Sequence, residues 1–303
     1  MTYNSPSLFY NWLNYKCAYT CYNPDSSSSH ALVLIHPIGV GLSGVFWRKF
    51  IQKLQEYSCS FPIYNPDLLG CGNSDLPRAA YDPKDWASQL NYFIKNVVKK
   101  PVILVVQGGS FPIAIYLCAG DLKCEQVEGL ILSGPPAWNV ITTAGNPRIS
   151  KLVWNLFFDS PFGFLFYQYA KTRGFIKSFS EKQLFAIPET VDDQWISMLE
   201  QGAKNDKKRY AVFSFLAGFW RKNYEYLIKQ IEKKTWILIG ENATIISKNA
   251  LQESPEEKLK MYTQNMKNAR GRIIRGKNVL PYESAEDFAK EVINFYQENW
   301  GKA

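Results

Sequence analysis

The chain has 303 residues, 46% of them hydrophobic and 20% charged, with a net charge of +8. That length suits one α/β domain carrying an inserted subdomain, and the composition excludes a disordered or fibrous protein. No apolar run reaches the roughly 20 residues that span a bilayer, and Met1 to Leu8 has neither a basic n-region nor an apolar core, so the expected location is the cytoplasm.

Trp12 to Tyr22 is rich in strand formers, and Asn23-Pro24-Asp25 followed by Ser26 to Ser29 reads as a polar turn. Residues 1–30 thus predict a short hairpin. Ala31 to Ile35 is a buried strand that ends in His36-Pro37-Ile38-Gly39-Val40-Gly41, and Phe50 to Leu54 continues as a helix. Phe61 to Tyr64 is the next strand. It runs into Asp67-Leu68-Leu69-Gly70-Cys71-Gly72-Asn73-Ser74-Asp75, whose glycines and side-chain caps predict a compact turn. From Asp85 to Val98 the apolar residues Trp86, Leu90, Phe93, Ile94 and Val97 recur at helical spacing.

Val102 to Val106 is an unbroken apolar run, mostly β-branched, and predicts a strand buried on both faces. Gly108 and Gly109 supply a tight turn, and Pro112 falls in the first turn of a helix, where its missing N–H is harmless. Val127 to Leu132 is another strand. From Trp138 to Leu227 the pattern is helical and dense in aromatic residues, which suggests an apolar cavity, an apolar partner surface, or rings that only pack inward. The segment Pro161 to Ala170 is apolar on most faces and could touch a membrane. Thr235 to Ile239 and Gly271 to Ile274 return to strand. Ser284 with Asp287 three residues later marks the cap of a closing helix that buries Phe288, Val292, Ile293 and Phe295.

Taken together, these stretches resemble the α/β-hydrolase superfamily. The Asp67–Asp75 segment is similar to its D-x-x-G-x-G-x-S-D loop, and Lys100 to Ala114 is similar to its strand, nucleophile elbow and helix. The resemblance implies an α/β fold with a mainly parallel sheet and helices on both faces. It divides the chain into a first core part over 1–137, a helical cap over 138–228 and a second core part over 229–303.

The same resemblance places the catalytic positions, and they are emptied. Aligned without a gap, Gly108 stands where the serine belongs, Ala243 where the aspartate belongs and Asn278 where the histidine belongs. None of the three can attack, take a proton or orient an imidazole. Ser110 reaches the elbow tip only if the strand lengthens by two residues and Pro112 takes the last glycine position. Independently of alignment, the two histidines are His30 and His36, so none lies beyond residue 36. His36 near the pocket rim is either a structural histidine or a base in some other scheme.

The resemblance further implies backbone oxyanion donors at Ile38 and Gly109, with Gln107, Ser110 and His36 beside them as candidate binding residues. The expected function is a triad-less binder of a hydrophobic small molecule or of a protein partner. The alternatives are a lyase, isomerase or cofactor-free oxygenase, or an esterase displaced to Ser110. Neither cofactor nor metal is called for. Cys17 and Cys21 have no second pair beside them, and the six cysteines read as reduced thiols. The basic surplus in Lys258, Lys260, Lys267, Arg270, Arg272, Arg275 and Lys277 is either a solvated face or a dock for an anionic membrane or an acidic partner. No nucleic-acid motif accompanies it.

Overall fold

The computed structural model describes residues 6–244 and 253–301. An eight-stranded sheet forms the centre, in the order β1-β2-β4-β3-β5-β6-β7-β8. β1 (Leu8–Trp12) and β2 (Tyr15–Tyr22) form the antiparallel edge, with β2 also antiparallel to β4 (Ile63–Pro66). β3 (Ala31–Ile35), β5 (Val102–Gln107), β6 (Val127–Ser133), β7 (Lys234–Gly240) and β8 (Ala269–Ile274) then run parallel. The hairpin differs from its sequence reading in one respect. The chain reverses at Leu13 and Asn14, inside the strand-forming stretch, with Leu13 at φ +52°.

The central strands are buried on both faces, and their side chains alternate as a period of two requires. Val33, Leu104 and Val106 face α2 (Pro83–Phe93) and α3 (Phe111–Cys118), while Leu32, Leu34, Ile103 and Val105 face the opposite layer. That layer is α1 (Arg48–Glu56) and the C-terminal helix Ala285–Trp300, docked with Phe288 5.1 Å from Phe50, centre to centre. Each such fully buried ring is worth about 1.5–3 kcal/mol. Ser284 does not cap this helix. Its hydroxyl donates to the Arg275 carbonyl, where it closes the loop after β8.

Between β6 and β7 the chain forms helices only. These are α4 (Trp138–Thr142), α5 (Pro147–Val153), α6 (Pro161–Ala170), α7 (Arg173–Phe179), α8 (Asp193–Gly202), α9 (Arg209–Leu216) and α10 (Glu225–Lys229), with π-turns at Trp154–Phe158 and Ser180–Leu184. α11 (Pro255–Asn265) joins β7 to β8, and α12 (Leu280–Glu283) precedes α13 (Ala285–Trp300). The loops that follow β3, β5, β6, β7 and β8 all leave from one edge of the parallel strands, the usual place for a site in such sheets.

The Asp67–Asp75 loop braces that edge from below. The Asp67 carboxylate accepts from the Gly44 and Asn73 N–H groups, both at 2.8 Å. A Cβ on Gly72 would stand 2.0 Å from the same carboxylate, so glycine is required there.

Candidate functional site

Gly108 is the first residue beyond β5 and turns the chain at φ +54°. A non-glycine residue pays roughly 1–2 kcal/mol for that left-handed conformation. Space is not the obstacle, because a Cβ at Gly108 would find its nearest neighbour, the Gly134 carbonyl oxygen, at 3.8 Å. Gly109 is different. A Cβ there would stand 2.5 Å from the Phe215 ring, which descends from α9 and stacks on Trp220 with the ring centres 5.0 Å apart. Ser110 is fully buried, and its hydroxyl donates to the His36 carbonyl at 2.8 Å.

The loop after β3 is equally committed. The His36 ring is fully buried; Nδ1 lies 2.9 Å from the Pro37 carbonyl, and Nε2 accepts the Leu68 N–H at 3.1 Å. Those two partners call for the neutral ring with its proton on Nδ1. Burial pushes the imidazole pKa down, against the opposing pull of Asp67. Ile38 is partly buried against the core. Further along, Gly41 at φ +75° meets α8 backbone to backbone. A Cβ on Gly41 would stand 2.0 Å from the Leu199 carbonyl oxygen, and one on Gly202 would stand 2.0 Å from the Gly41 carbonyl oxygen.

Asn278 lies opposite, in the loop after β8. Its side-chain amide donates to the Gln183 carbonyl at 2.7 Å and to the Thr244 carbonyl at 3.1 Å, and its own N–H donates to Leu184 at 3.0 Å. Gln107 Nε2 donates to the Asn278 carbonyl at 2.8 Å. The chain therefore brings together Gly108, Asn278 and the turn that contains Ala243. Glu241, two residues before Ala243, is exposed, and its N–H donates to the Ile274 carbonyl. Two buried polar atoms beside Gly108, Gln107 Oε1 and Ser133 Oγ, have no partner among the described residues.

The sequence model of the alpha/beta hydrolase family matches residues 32–291. The chain belongs to that family. A search of curated protein sequences finds no match. Among solved structures, a serine hydrolase involved in carbazole degradation superposes with a TM-score of 0.73 at 18% identity, over 98% of this chain and 100% of that one. A thermophilic esterase from Thermogutta terrifontis gives 0.71 at 14% identity, over 97% and 99%. An enol-lactonase from Burkholderia xenovorans gives 0.69 at 12% identity, over 96% and 100%. At these identities the likeness is one of fold.

In this alpha/beta hydrolase a cavity of about 470 Å³ opens between α6 and α7 and the following π-turn, lined by Tyr169, Phe175, Phe179 and Lys182 among others. None of its lining residues belongs to the elbow or to the loop after β3. No cluster of three His, Cys, Asp or Glu side chains that could hold a metal occurs among the described residues. The six cysteines carry free thiols, and burial raises the pKa of each. Four of the seven residues of the late basic run are in ion pairs: Lys267 with Glu232, Arg270 with Glu298, Arg272 with Glu291 and Arg275 with Asp287. Sequence reasoning missed Phe215 over Gly109 and the Gly41–Gly202 contact. The glycines in Gly39-Val40-Gly41 were the one local signal of a close approach.

Proposed function

We propose that this alpha/beta hydrolase is a cytoplasmic pseudohydrolase, which keeps the fold without Ser-His-Asp chemistry and binds a hydrophobic small molecule or a protein partner. The observation that carries this reading is Gly108, a residue with no side chain held at φ +54° at the strand end. The surroundings agree. Asn278 spends its amide on tying the Ser180–Leu184 turn to the core, and Phe215 fills the space above Gly109. Ser110 gives its hydroxyl to the His36 carbonyl, and both ring nitrogens of His36 are engaged by Pro37 and Leu68; a serine without a free base is a weak nucleophile.

The test is a fluorophosphonate probe together with short- and medium-chain p-nitrophenyl esters, applied to the purified chain. No labelling and no turnover are expected; stoichiometric labelling of Ser110 would overturn the reading. Native mass spectrometry with organic extraction then identifies any apolar molecule that is carried.

A second reading, a non-hydrolytic lyase, isomerase or cofactor-free oxygenase, draws on the unpartnered Gln107 Oε1 and Ser133 Oγ beside Gly108. Under it, the purified chain turns over a substrate at this site and Gln107→Leu lowers kcat, whereas a binder shows no turnover with either chain.

A further inference from the structure

The helices after β6 turn a concentration of apolar side chains outward. Along α5 and its π-turn, Ile149, Leu152, Val153 and Leu156 are exposed at the i, i+3, i+4, i+7 spacing of one helix face, while Ser150, Trp154 and Phe158 are buried. α6 repeats the arrangement, with Phe162, Leu165 and Tyr169 outward and Gly163, Tyr167 and Ala170 inward. Leu156 is 67% exposed, Phe162 66% and Leu165 63%. The π-turn and α6 meet at the Asp159–Ser160 turn, where a Cβ on Gly163 would stand 2.2 Å from the Phe158 carbonyl oxygen, so the two apolar stripes lie on adjoining helices. Ten of the nineteen large apolar side chains exposed among the described residues fall within residues 147–179. A concentration of this kind marks an interaction surface rather than scattered exposure.

The charge around the crest names the partner. Residues 147–179 contain five Lys or Arg, of which Arg173 is paired with Asp193 and Glu200 and Lys177 with Glu181, and one acidic residue, Asp159; residues 204–209 contain four and one, Asp206. Both acids are already engaged, Asp159 by Arg78 at 2.8 Å and Asp206 by Lys171 at 2.7 Å. The 204–209 segment is held along α6 by that Lys171 pair and by Arg209 over the Phe164 ring at 5.6 Å. Arg148, Lys151, Lys204 and Lys207 are exposed and form no ion pair among the described residues. An apolar crest with basic flanks complements acyl chains below and anionic headgroups beside them. The helices do not span: α6 at ten residues is about 15 Å long, against a hydrocarbon core of about 30 Å, and no helix among the described residues is long and apolar enough to cross.

We propose that the α5–α6 hairpin of the cap is a membrane-docking surface, lying in the plane of an anionic bilayer with Leu152, Leu156, Phe162 and Leu165 inserted and Arg148, Lys151, Lys204 and Lys207 at the headgroups. This surface is separate from the elbow, so it stands or falls independently of the pseudohydrolase reading. The Arg270–Arg275 run, paired to α13, is not part of it.

The experiment is co-sedimentation of the full chain with vesicles of phosphatidylcholine containing phosphatidylglycerol, and with vesicles of phosphatidylcholine alone. Binding is expected to the anionic vesicles and to weaken as salt is raised. Phe162→Asp and Leu156→Asp each lower the partition coefficient about tenfold or more, and Arg148→Glu with Lys151→Glu removes most of the preference for anionic lipid. Leu13→Asp, at an equally exposed apolar residue on the β1–β2 turn, leaves binding unchanged. Thermal melts of the variants should match the parent, because the altered side chains are exposed. Failure to sediment with anionic vesicles, or sedimentation indifferent to Phe162→Asp, overturns the proposal. So does a dimer in sedimentation velocity that Phe162→Asp converts to monomer, which would assign the crest to a second copy of the chain.

Discussion

Gly41 and Gly202 meet with no side chain between them: a methyl group on Gly202 would lie 2.0 Å from the Gly41 carbonyl oxygen. The loop that follows β3 and the end of α8 are thereby packed backbone to backbone, and the cap is seated directly on the core. Gly202→Ala must push the two apart. Overpacking of this kind costs typically about 1–3 kcal/mol, and the expected result is a lower urea midpoint with an unchanged m-value. Gly174→Ala in α7 is the counter-test, since a Cβ there meets nothing within 4 Å. It should be neutral or stabilise by up to about 1 kcal/mol through helix propensity.

Gly108→Ser separates the nucleophile from the machinery it needs. The new side chain has room, because its Cβ would find nothing nearer than 3.8 Å. The backbone conformation costs roughly 1–2 kcal/mol, so the variant should fold with a modestly lower melting temperature. It should still not react with a fluorophosphonate probe, because no histidine lies beyond residue 36 to activate it. Robust labelling would mean that another group near Gly108 acts as a base.

The core of this architecture was legible because its signals are local. Val102 to Val106 had to be buried on both faces, and Asp67 to Asp75 carries the glycines and caps of its own turn. What escaped depends on partners far away in sequence. Nothing near Phe215 announces that its ring lies on Gly109, and nothing near Ser284 announces that the Arg275 carbonyl claims its hydroxyl before the helix N-terminus can. Arg270 and Arg272 of β8, and Arg275 just after it, look like a free positive surface until α13 places Glu298, Glu291 and Asp287 beside them. At the site, the residue types at 108, 243 and 278 could be read in advance, but the use made of Asn278 could not, since Gln183 belongs to the cap.

Asn278→Ala tests that use. It removes an amide that donates to Gln183 and Thr244, and it leaves both carbonyls to find other partners. A loss of about 1–2 kcal/mol is expected. Because one of the two acceptors sits in the Ser180–Leu184 turn, the loss should register locally first. Hydrogen exchange in residues 180–185 should accelerate more than in β5, and limited proteolysis should cut the cap earlier. Equal acceleration in β5 would show that Asn278 supports the whole fold rather than the seating of the cap.

His36 supplies a pH dependence with a definite sign. Burial holds its folded pKa below the ordinary value of 6.5, and both ring nitrogens are already engaged as a neutral imidazole. The unfolded chain therefore binds a proton that the folded chain refuses. Its contribution to stability is complete above the unfolded pKa and is lost as the pH falls below it, with a slope of up to about 1.4 kcal/mol per pH unit. His36→Gln keeps an acceptor for Leu68 N–H and cannot titrate. Urea denaturation at a series of pH values from roughly 5 to 7 should show a shallower acid slope for this variant than for the parent. Parallel slopes would mean that the imidazole titrates alike in the folded and unfolded chains, with Asp67 offsetting burial; a steeper acid slope for the variant would mean that Asp67 governs it.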